Sequence, residues 1–305
     1  MQPNHRKKET HMSKAFKGIL AALVTPYTDD NKVDLPGVKK LVRYLMDRGI
    51  DGFYVCGTTG EAFLLTPDER KATLDAVLEE SAGEKQVIAH VGNISTDFAI
   101  DLAKHAERAG ADAVSAISPF YYKFTLDEIK GYYQDIMNSI NTPLFIYNFP
   151  NASGFNLTPE VLSDLCEKGN VAGVKFTSNN FHDLALMKKA HPELTIWNGF
   201  DEMFLSGLVA GADGAIGSTY NVLATAAIHV YQSFLQGDLA QAQHYQNIIN
   251  QMVNISKRHN NLKVVRRILD LEGVHCGPCR APFRPLPESA MDDVRFILEH
   301  YVRIH

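Results

Sequence analysis

Eight short apolar runs, each followed by a stretch of helical character, set the outer limits on how this chain can fold. They are Gly18–Thr25, Gly52–Gly57, Gln86–Gly92, Ala113–Ser118, Leu144–Asn148, Val171–Thr177, Leu194–Gly199 and Gly214–Thr219. The runs are apolar almost throughout and do not alternate. Strands of that kind suit a parallel sheet covered on both faces. The segments between them carry helix punctuation. Thr66-Pro67-Asp68-Glu69 sets a capping threonine, a first-turn proline and early acids ahead of a helix. Ser95-Thr96-Asp97-Phe98 and Thr158-Pro159-Glu160 give similar starts. Gly49, Gly83, Gly110 and Gly169 fall where helices should stop. Eight βα units predict an α/β fold of the (β/α)8 TIM-barrel class. A doubly wound open sheet would need a glycine-rich phosphate loop after its first strand. The stretch from Thr25 to Asn31, TPYTDDN, is not one. The barrel is expected over residues 13–221. Residues 222–305 then supply the final barrel helix and a C-terminal helical extension.

A length of 305 residues accommodates one such barrel in a single chain. The net charge of −5 argues against a nucleic-acid surface. Apolar runs such as Ile19–Val24 are too short to span a bilayer, so no membrane partner is expected. Four cysteines, without a secretory signal, point to a reducing cytoplasm. The opening residues MQPNHRKKETH are polar and basic and precede a second methionine, Met12. Residues 1–12 read as an expression-derived tail outside the fold.

In a barrel of this class the chemistry lies at the C-terminal ends of the strands. There the sequence concentrates polar groups. The sixth run carries Lys175 inside an apolar strand, VAGVKFT. Side chains alternate along a strand, so Gly173, Lys175 and Thr177 share one face while Val174 and Phe176 face the helices. An amine desolvated in the barrel mouth has a lowered pKa and is nucleophilic. It can form a Schiff base with a ketone, and the iminium then draws electrons from the adjacent carbon–carbon bond. The plainer reading is a rim lysine in a salt bridge. Tyr147 ends the preceding strand and can move a proton there, or serve as a core tyrosine with a paired hydroxyl. Thr58 and Thr59 follow a glycine turn and can hold a carboxylate, or simply cap the turn. Asp201 and Glu202 can accept from sugar hydroxyls, or act as first-turn acids of a helix.

Together these residues resemble the pyruvate-dependent class I aldolases of the dihydrodipicolinate synthase and N-acetylneuraminate lyase superfamily. The resemblance spans about residues 16–300 and rests on GTTGE (Gly57–Glu61), SPFYY (Ser118–Tyr122), YNFP (Tyr147–Pro150), GVKFT (Gly173–Thr177) and GFDE (Gly199–Glu202). The synthase branch carries an arginine just after its YNxP turn, for a second carboxylate. Here that stretch is Asn151-Ala152-Ser153. GFDE and GSTYN (Gly217–Asn221) are similar to the lyase branch's polyhydroxyl-binding pattern. The resemblance implies that Lys175 forms the Schiff base, Tyr147 transfers the proton and Thr58 is hydrogen-bonded to it. It implies that Thr58 and Thr59 bind a pyruvyl carboxylate, and that Thr177, Gly199, Asp201, Glu202 and Ser218 bind the sugar chain. Tyr121 resembles a tyrosine that family members lend to a neighbouring subunit's catalytic site, which implies a homotetramer. The implied reaction is reversible cleavage of N-acetylneuraminate, a sialic acid, into N-acetylmannosamine and pyruvate, without metal or organic cofactor.

Other signals read as structural. Cys276-Gly277-Pro278-Cys279 has redox-motif spacing but lacks the strand-then-helix context, so it reads as a loop with two structural thiols. The twelve histidines include no pair two, three or four residues apart, which removes metal-ligand spacing on one element. His90 reads as a hydrogen-bonded barrel residue. Phe120, Tyr121 and Tyr122 suit core, subunit interface or site wall. Three alternatives remain: another pyruvate aldolase or synthase of the same superfamily, such as a 2-keto-3-deoxy sugar acid aldolase; a non-catalytic ligand-sensing barrel; and a metal-dependent class II aldolase.

Overall fold

A computed structural model describes residues 16–303, and the tail expected at residues 1–12 lies outside them. The described chain runs β1 (Gly18–Ala22), α1 (Leu35–Met46), β2 (Gly52–Val55), α2 (Pro67–Ser81), β3 (Gln86–His90), α3 (Thr96–Ala109), β4 (Ala113–Ile117), α4 (Leu126–Ser139), β5 (Leu144–Asn148), a one-turn α5 (Pro150–Ser153), α6 (Pro159–Lys168), β6 (Val171–Phe176), α7 (Phe181–Ala190), β7 (Thr195–Asn198), α8 (Phe204–Val209), β8 (Gly214–Gly217) and α9 (Tyr220–Leu235). Then follow α10 (Leu239–Ser256), α11 (Asn261–Leu271) and α12 (Met291–Ile297). Each strand pairs in parallel with the next, and β8 returns to β1 with Gly18 opposite Gly214, so the sheet closes. This is the (β/α)8 barrel, with helices added at its C-terminal end.

The helix starts are built as their sequences dictate. Thr66 accepts from the Glu69 N–H while Glu69 reaches back to the Thr66 N–H, a reciprocal cap that satisfies two orphan donors. Thr158 accepts from the Val161 N–H. Ser95 occupies the equivalent position of α3 but makes no side-chain cap. Gly49, Gly83 and Gly110 end their helices with φ of 81°, 76° and 90°. Gly169 does so differently, in extended backbone, and its lack of a side chain serves packing: a Cβ there would lie 2.5 Å from the Met137 Sδ.

Strand periodicity of two divides the core into two layers. Val55, Val87, Val114, Ile146, Val174 and Ile196 face outward into the larger layer shared with the helices. Leu20, Tyr54, Ile88, Phe145, Tyr147 and Trp197 face inward and fill the lumen. Phe16 plugs the N-terminal end, edge-on to Phe145 at 5.2 Å and to Trp197 at 6.1 Å between ring centroids. The lumen is therefore closed below and open above. Several apolar runs overshoot their strands. The second continues to Gly57 in sequence but leaves the ladder at Val55, because Cys56 turns to a left-handed φ of 56°. These overshoots form the upper loops.

One buried side chain ties the C-terminal helices to two barrel loops at once. Arg266 of α11 is 1% exposed and pairs with Glu61, on the loop after β2, at 3.1 Å. Its other N–H groups donate to the carbonyls of Thr25 (2.9 Å), Gly277 (3.0 Å), Cys276 (2.6 Å) and Pro278 (3.3 Å). The second Glu61 oxygen accepts from the Arg280 N–H at 2.8 Å. Tyr27 lies between the Arg266 and Arg280 guanidinium groups, 4.8 and 4.6 Å from its ring centroid. The CGPC stretch is thus an irregular loop with free thiols whose carbonyls clasp Arg266. Among the described residues, no helix is long and apolar enough to cross a membrane.

Removing one member of a buried ion pair strands the other charge at a cost of about 3–5 kcal/mol, whereas replacing both by apolar groups of similar volume is far milder. Glu61→Ala is expected to lower unfolding stability by an amount in that range. Glu61→Leu combined with Arg266→Met should recover most of it, as read by urea denaturation of the two variants and the parent.

Candidate active site

Polar groups converge where the upper strand ends meet the open mouth. Register places Lys175 opposite Tyr147 on one side and Trp197 on the other, all pointing inward. Lys175 is 4% exposed, and its Nζ lies 4.1 Å from the Tyr54 ring centroid and 4.2 Å from that of Tyr147. Burial lowers the amine pKa from 10.5 to about 7, and the nearby Asp201 carboxylate only partly opposes this. Among the described residues no carboxylate forms an ion pair with Lys175, so the rim salt bridge is not what forms. Near neutral pH the neutral and protonated amine are therefore comparably populated, and the amine faces the lumen.

Tyr147, next to last in β5, has its ring buried and its hydroxyl 3.4 Å from the Thr58 Oγ1. Desolvation pushes its pKa up to about 12, with the Thr58 and Thr177 hydroxyls pulling weakly the other way. The Thr177 hydroxyl is buried and lacks the geometry of a hydrogen bond to any described residue. Gly199 stands directly above it. A Cβ at that position would fall 1.9 Å from the Thr177 Oγ1, so glycine keeps this corner open.

Asp201 and Glu202 differ sharply. Asp201 is buried, and its Oδ2 accepts from the Thr219 N–H at 2.7 Å and from the Ser218 hydroxyl at 3.1 Å. Burial raises its pKa to about 6 against those hydrogen bonds. Glu202 is more open and pairs with Lys257, just beyond α10, at 2.8 Å. Gln246 of α10 donates to the Asp201 carbonyl at 3.0 Å and fixes this turn from behind.

At the rim of the mouth, between the loop after β2 and α11, a cavity of about 280 Å³ is lined by Thr58, Thr59, Ser218, Asn261, Leu262 and Phe283 among others, with Lys175 and Tyr147 outside its lining. The structure thus gathers Lys175, Tyr147, Thr58, Thr59, Thr177, Gly199, Asp201, Glu202 and Ser218 around the upper strand ends. Tyr121 stands apart. It is 84% exposed with φ of 79°, and its ring contacts Tyr122 edge-on at 5.0 Å.

Two further residues shape the site, Asn261 without any local sequence signal and His90 as the hydrogen-bonded barrel residue the sequence suggests. Asn261 donates to the Ser218 Oγ at 3.0 Å and receives the Ser256 hydroxyl at 2.8 Å, so α11 orients a site hydroxyl from outside the barrel. His90 joins β2 to β4: its Nδ1 lies 2.9 Å from the Cys56 carbonyl, and its Nε2 accepts from the Ile117 N–H at 3.3 Å. Desolvation and the Arg70 charge drive its pKa well down, so the ring is neutral and braces the loop carrying Thr58. Among the described residues no group of three or more His, Cys, Asp or Glu is placed to hold a metal ion.

Comparison with known proteins follows the same outline. The chain is 38% identical over 296 residues to the N-acetylneuraminate lyase of Citrobacter koseri, covering 96% of this chain and 99% of that one. A Clostridium difficile protein solved in complex with mannosamine superposes with a TM-score of 0.92 at 34% identity, covering 94% of this chain and all of that one. A catalytic lysine mutant of the Ruminococcus gnavus sialic acid aldolase superposes with a TM-score of 0.91 at 32% identity, over 93% and 94% of the two chains. The family model for dihydrodipicolinate synthetases matches residues 15–301, nearly the whole described fold together with every strand end that builds the mouth. With a buried lysine amine at the centre of that mouth and relatives alike over their full length, the chain belongs to the dihydrodipicolinate synthetase family.

Proposed function

We propose that the protein is a class I aldolase that reversibly cleaves open-chain N-acetylneuraminate into N-acetylmannosamine and pyruvate. The observation that carries the reading is Lys175: a buried amine held near neutrality beside the Tyr147 phenol. The names of the lyase and aldolase relatives support the choice of substrate. So does Asn151-Ala152-Ser153, which offers no arginine for the second carboxylate of a synthase substrate.

The neutral Lys175 amine adds to the C2 ketone, and Tyr147 gives its proton to the departing hydroxyl, which leaves as water. The resulting iminium withdraws electrons. The phenolate, a strong base because burial has raised its pKa, takes the proton of the C4 hydroxyl. The C3–C4 bond breaks, its pair flows into the iminium, and an aldehyde and a Lys175 enamine result. Protonation of the enamine at C3 and addition of water at C2 release pyruvate and restore the amine. In this scheme Thr58 and Thr59 hold the pyruvyl carboxylate. Thr177, Gly199, Asp201, Glu202 and Ser218 meet the sugar hydroxyls. Exposed Tyr121 completes the site of a neighbouring subunit in a homotetramer. A cytoplasmic location fits the four free thiols.

Borohydride added with pyruvate is expected to reduce the imine, inactivate the enzyme irreversibly and leave a three-carbon adduct on Lys175 by peptide mass analysis. An adduct on Lys168, Lys188 or Lys189, or near-normal turnover in Lys175→Ala, would overturn the mechanism.

The pH dependence follows from the same amine. Its folded pKa of about 7 lies below the ordinary 10.5, so kcat/KM should rise with pH through an apparent pKa near 7. The folded state binds the proton less tightly than the unfolded chain, so the burial penalty is fully present below pH 7 and is relieved as pH rises toward 10.5. Lys175→Met should therefore melt higher than the parent at pH 7, with the difference shrinking by pH 10.

Tyr121→Ala should lower kcat by about tenfold or more while leaving pyruvate trapping on Lys175 intact. Sedimentation of the parent should give a tetramer. A fully active monomer would remove the shared-site proposal.

A further inference from the structure

A second cavity, of about 290 Å³, opens on the other side of α11 from the mouth. The chain as a whole is acidic, yet cations dominate this wall. Lys263 and Arg267 reach it from α11, and Arg284 reaches it from the loop before α12. Among the described residues, neither the Lys263 nor the Arg284 side chain has a hydrogen bond or ion pair. Arg267 has a single loose one, 3.9 Å to Asp270. The carboxylates facing them are Asp270 and Glu288. Asp270 is engaged by the Cys276 N–H at 2.7 Å and lies 3.6 Å from the His275 ring. Arg266 also borders the cavity, but its N–H groups are committed to Glu61 and four carbonyls. Leu286 and Met291 supply an apolar floor. Uncommitted Lys and Arg donors above an apolar base form a receptor for a small molecule with two or more negative charges.

We propose that this cavity binds a compact polyanion, a phosphate ester or a polycarboxylate, and that its occupancy strengthens binding in the active site. The coupling route is physical contact. Helix α11 presents Asn261, Leu262 and Val265 to the mouth and Lys263 and Arg267 to the second cavity. The loop after α11 does the same, with Phe283 on one side and Arg284 on the other. An anion bridging Lys263 and Arg284 would draw α11 and this loop together. That arrangement is the one in which Arg266 grips Glu61, at the end of the segment bearing Thr58 and Thr59. A ligand that favours it binds both sites' competent form, and the effect is reciprocal.

The test begins without substrate. Inorganic phosphate, glycerol 2-phosphate and citrate are titrated into the full chain by calorimetry at constant ionic strength, in the parent and in Lys263→Ala/Arg284→Ala. The parent should show one saturable site. The variant should bind at least about tenfold more weakly. Preference for the phosphates identifies a phosphorylated ligand, and preference for citrate a polycarboxylate. Enzyme blocked on Lys175 by borohydride and pyruvate should still bind, which separates this site from the carboxylate pocket of the mouth. Saturating anion should then lower KM for N-acetylneuraminate by about fivefold in the parent and not in the variant. This last arm and the blocked-enzyme arm rest on the proposed aldolase reading, whereas the anion titrations of parent and variant do not. Absence of binding at millimolar anion, unchanged affinity in the variant, or loss of binding in the blocked enzyme would overturn the site. Binding without any change in KM would overturn the coupling.

Discussion

Arg266 has five N–H groups, and each has its own acceptor: a carboxylate on the loop after β2, a carbonyl after β1, and three carbonyls on the loop after α11. One planar cation therefore fixes three segments relative to one another, including Glu61, 205 positions away in sequence. The pair is not a simple source of stability. Burial still holds the Glu61 carboxyl above its ordinary range despite the two arginines beside it. What the arrangement supplies is geometry. The turn from Gly57 to Glu61 carries Thr58 and Thr59, and its far end cannot drift while the guanidinium holds it. The rest of the mouth, including the Thr58 contact to Tyr147, depends on this anchoring.

Inside that frame the titrating groups are shifted by one common cause. Desolvation pulls Lys175 down to about 7, lifts Asp201 to about 6 and lifts Tyr147 to about 12. In each case the uncharged form gains. The mouth thus holds an amine ready to attack and a phenol ready to donate, with little fixed charge between them. Each becomes strongly reactive when the reaction changes its protonation state. Asp201 is tempered by the Thr219 N–H and the Ser218 hydroxyl, which keeps a mostly ionised acceptor at the edge of the site.

Much of this was legible in the sequence because it is local and periodic. Eight apolar runs predict eight strands, and alternation along VAGVKFT predicts which way Lys175 points. Strand-end motifs mark the mouth because a closed parallel barrel puts all its C-terminal strand ends on one side. The ends of the runs were less legible. Apolar character continues through Cys56, where the backbone turns left-handed and the ladder stops. Long-range partners were not legible at all. Glu61 was visible as a motif letter, but nothing near it in sequence names Arg266. The same holds for Asn261, whose contact with Ser218 spans 43 positions. Tyr121 stood out in the sequence only as part of an aromatic cluster, and within one chain it is exposed, its ring meeting Tyr122 edge-on.

The aromatic plug of Phe16, Phe145 and Trp197 gives the lumen a floor. A tunnel with two openings would let two products depart in either order. A well with one opening imposes a queue. On the aldolase reading, the fragment that keeps its covalent link to Lys175 lies deeper than the aldehyde freed above it. The aldehyde must clear the shaft before water can reach the enamine's carbon and release the second product. Run backward, the keto acid must enter first and wait for its partner. The order of traffic is thus written into the closed bottom of the barrel.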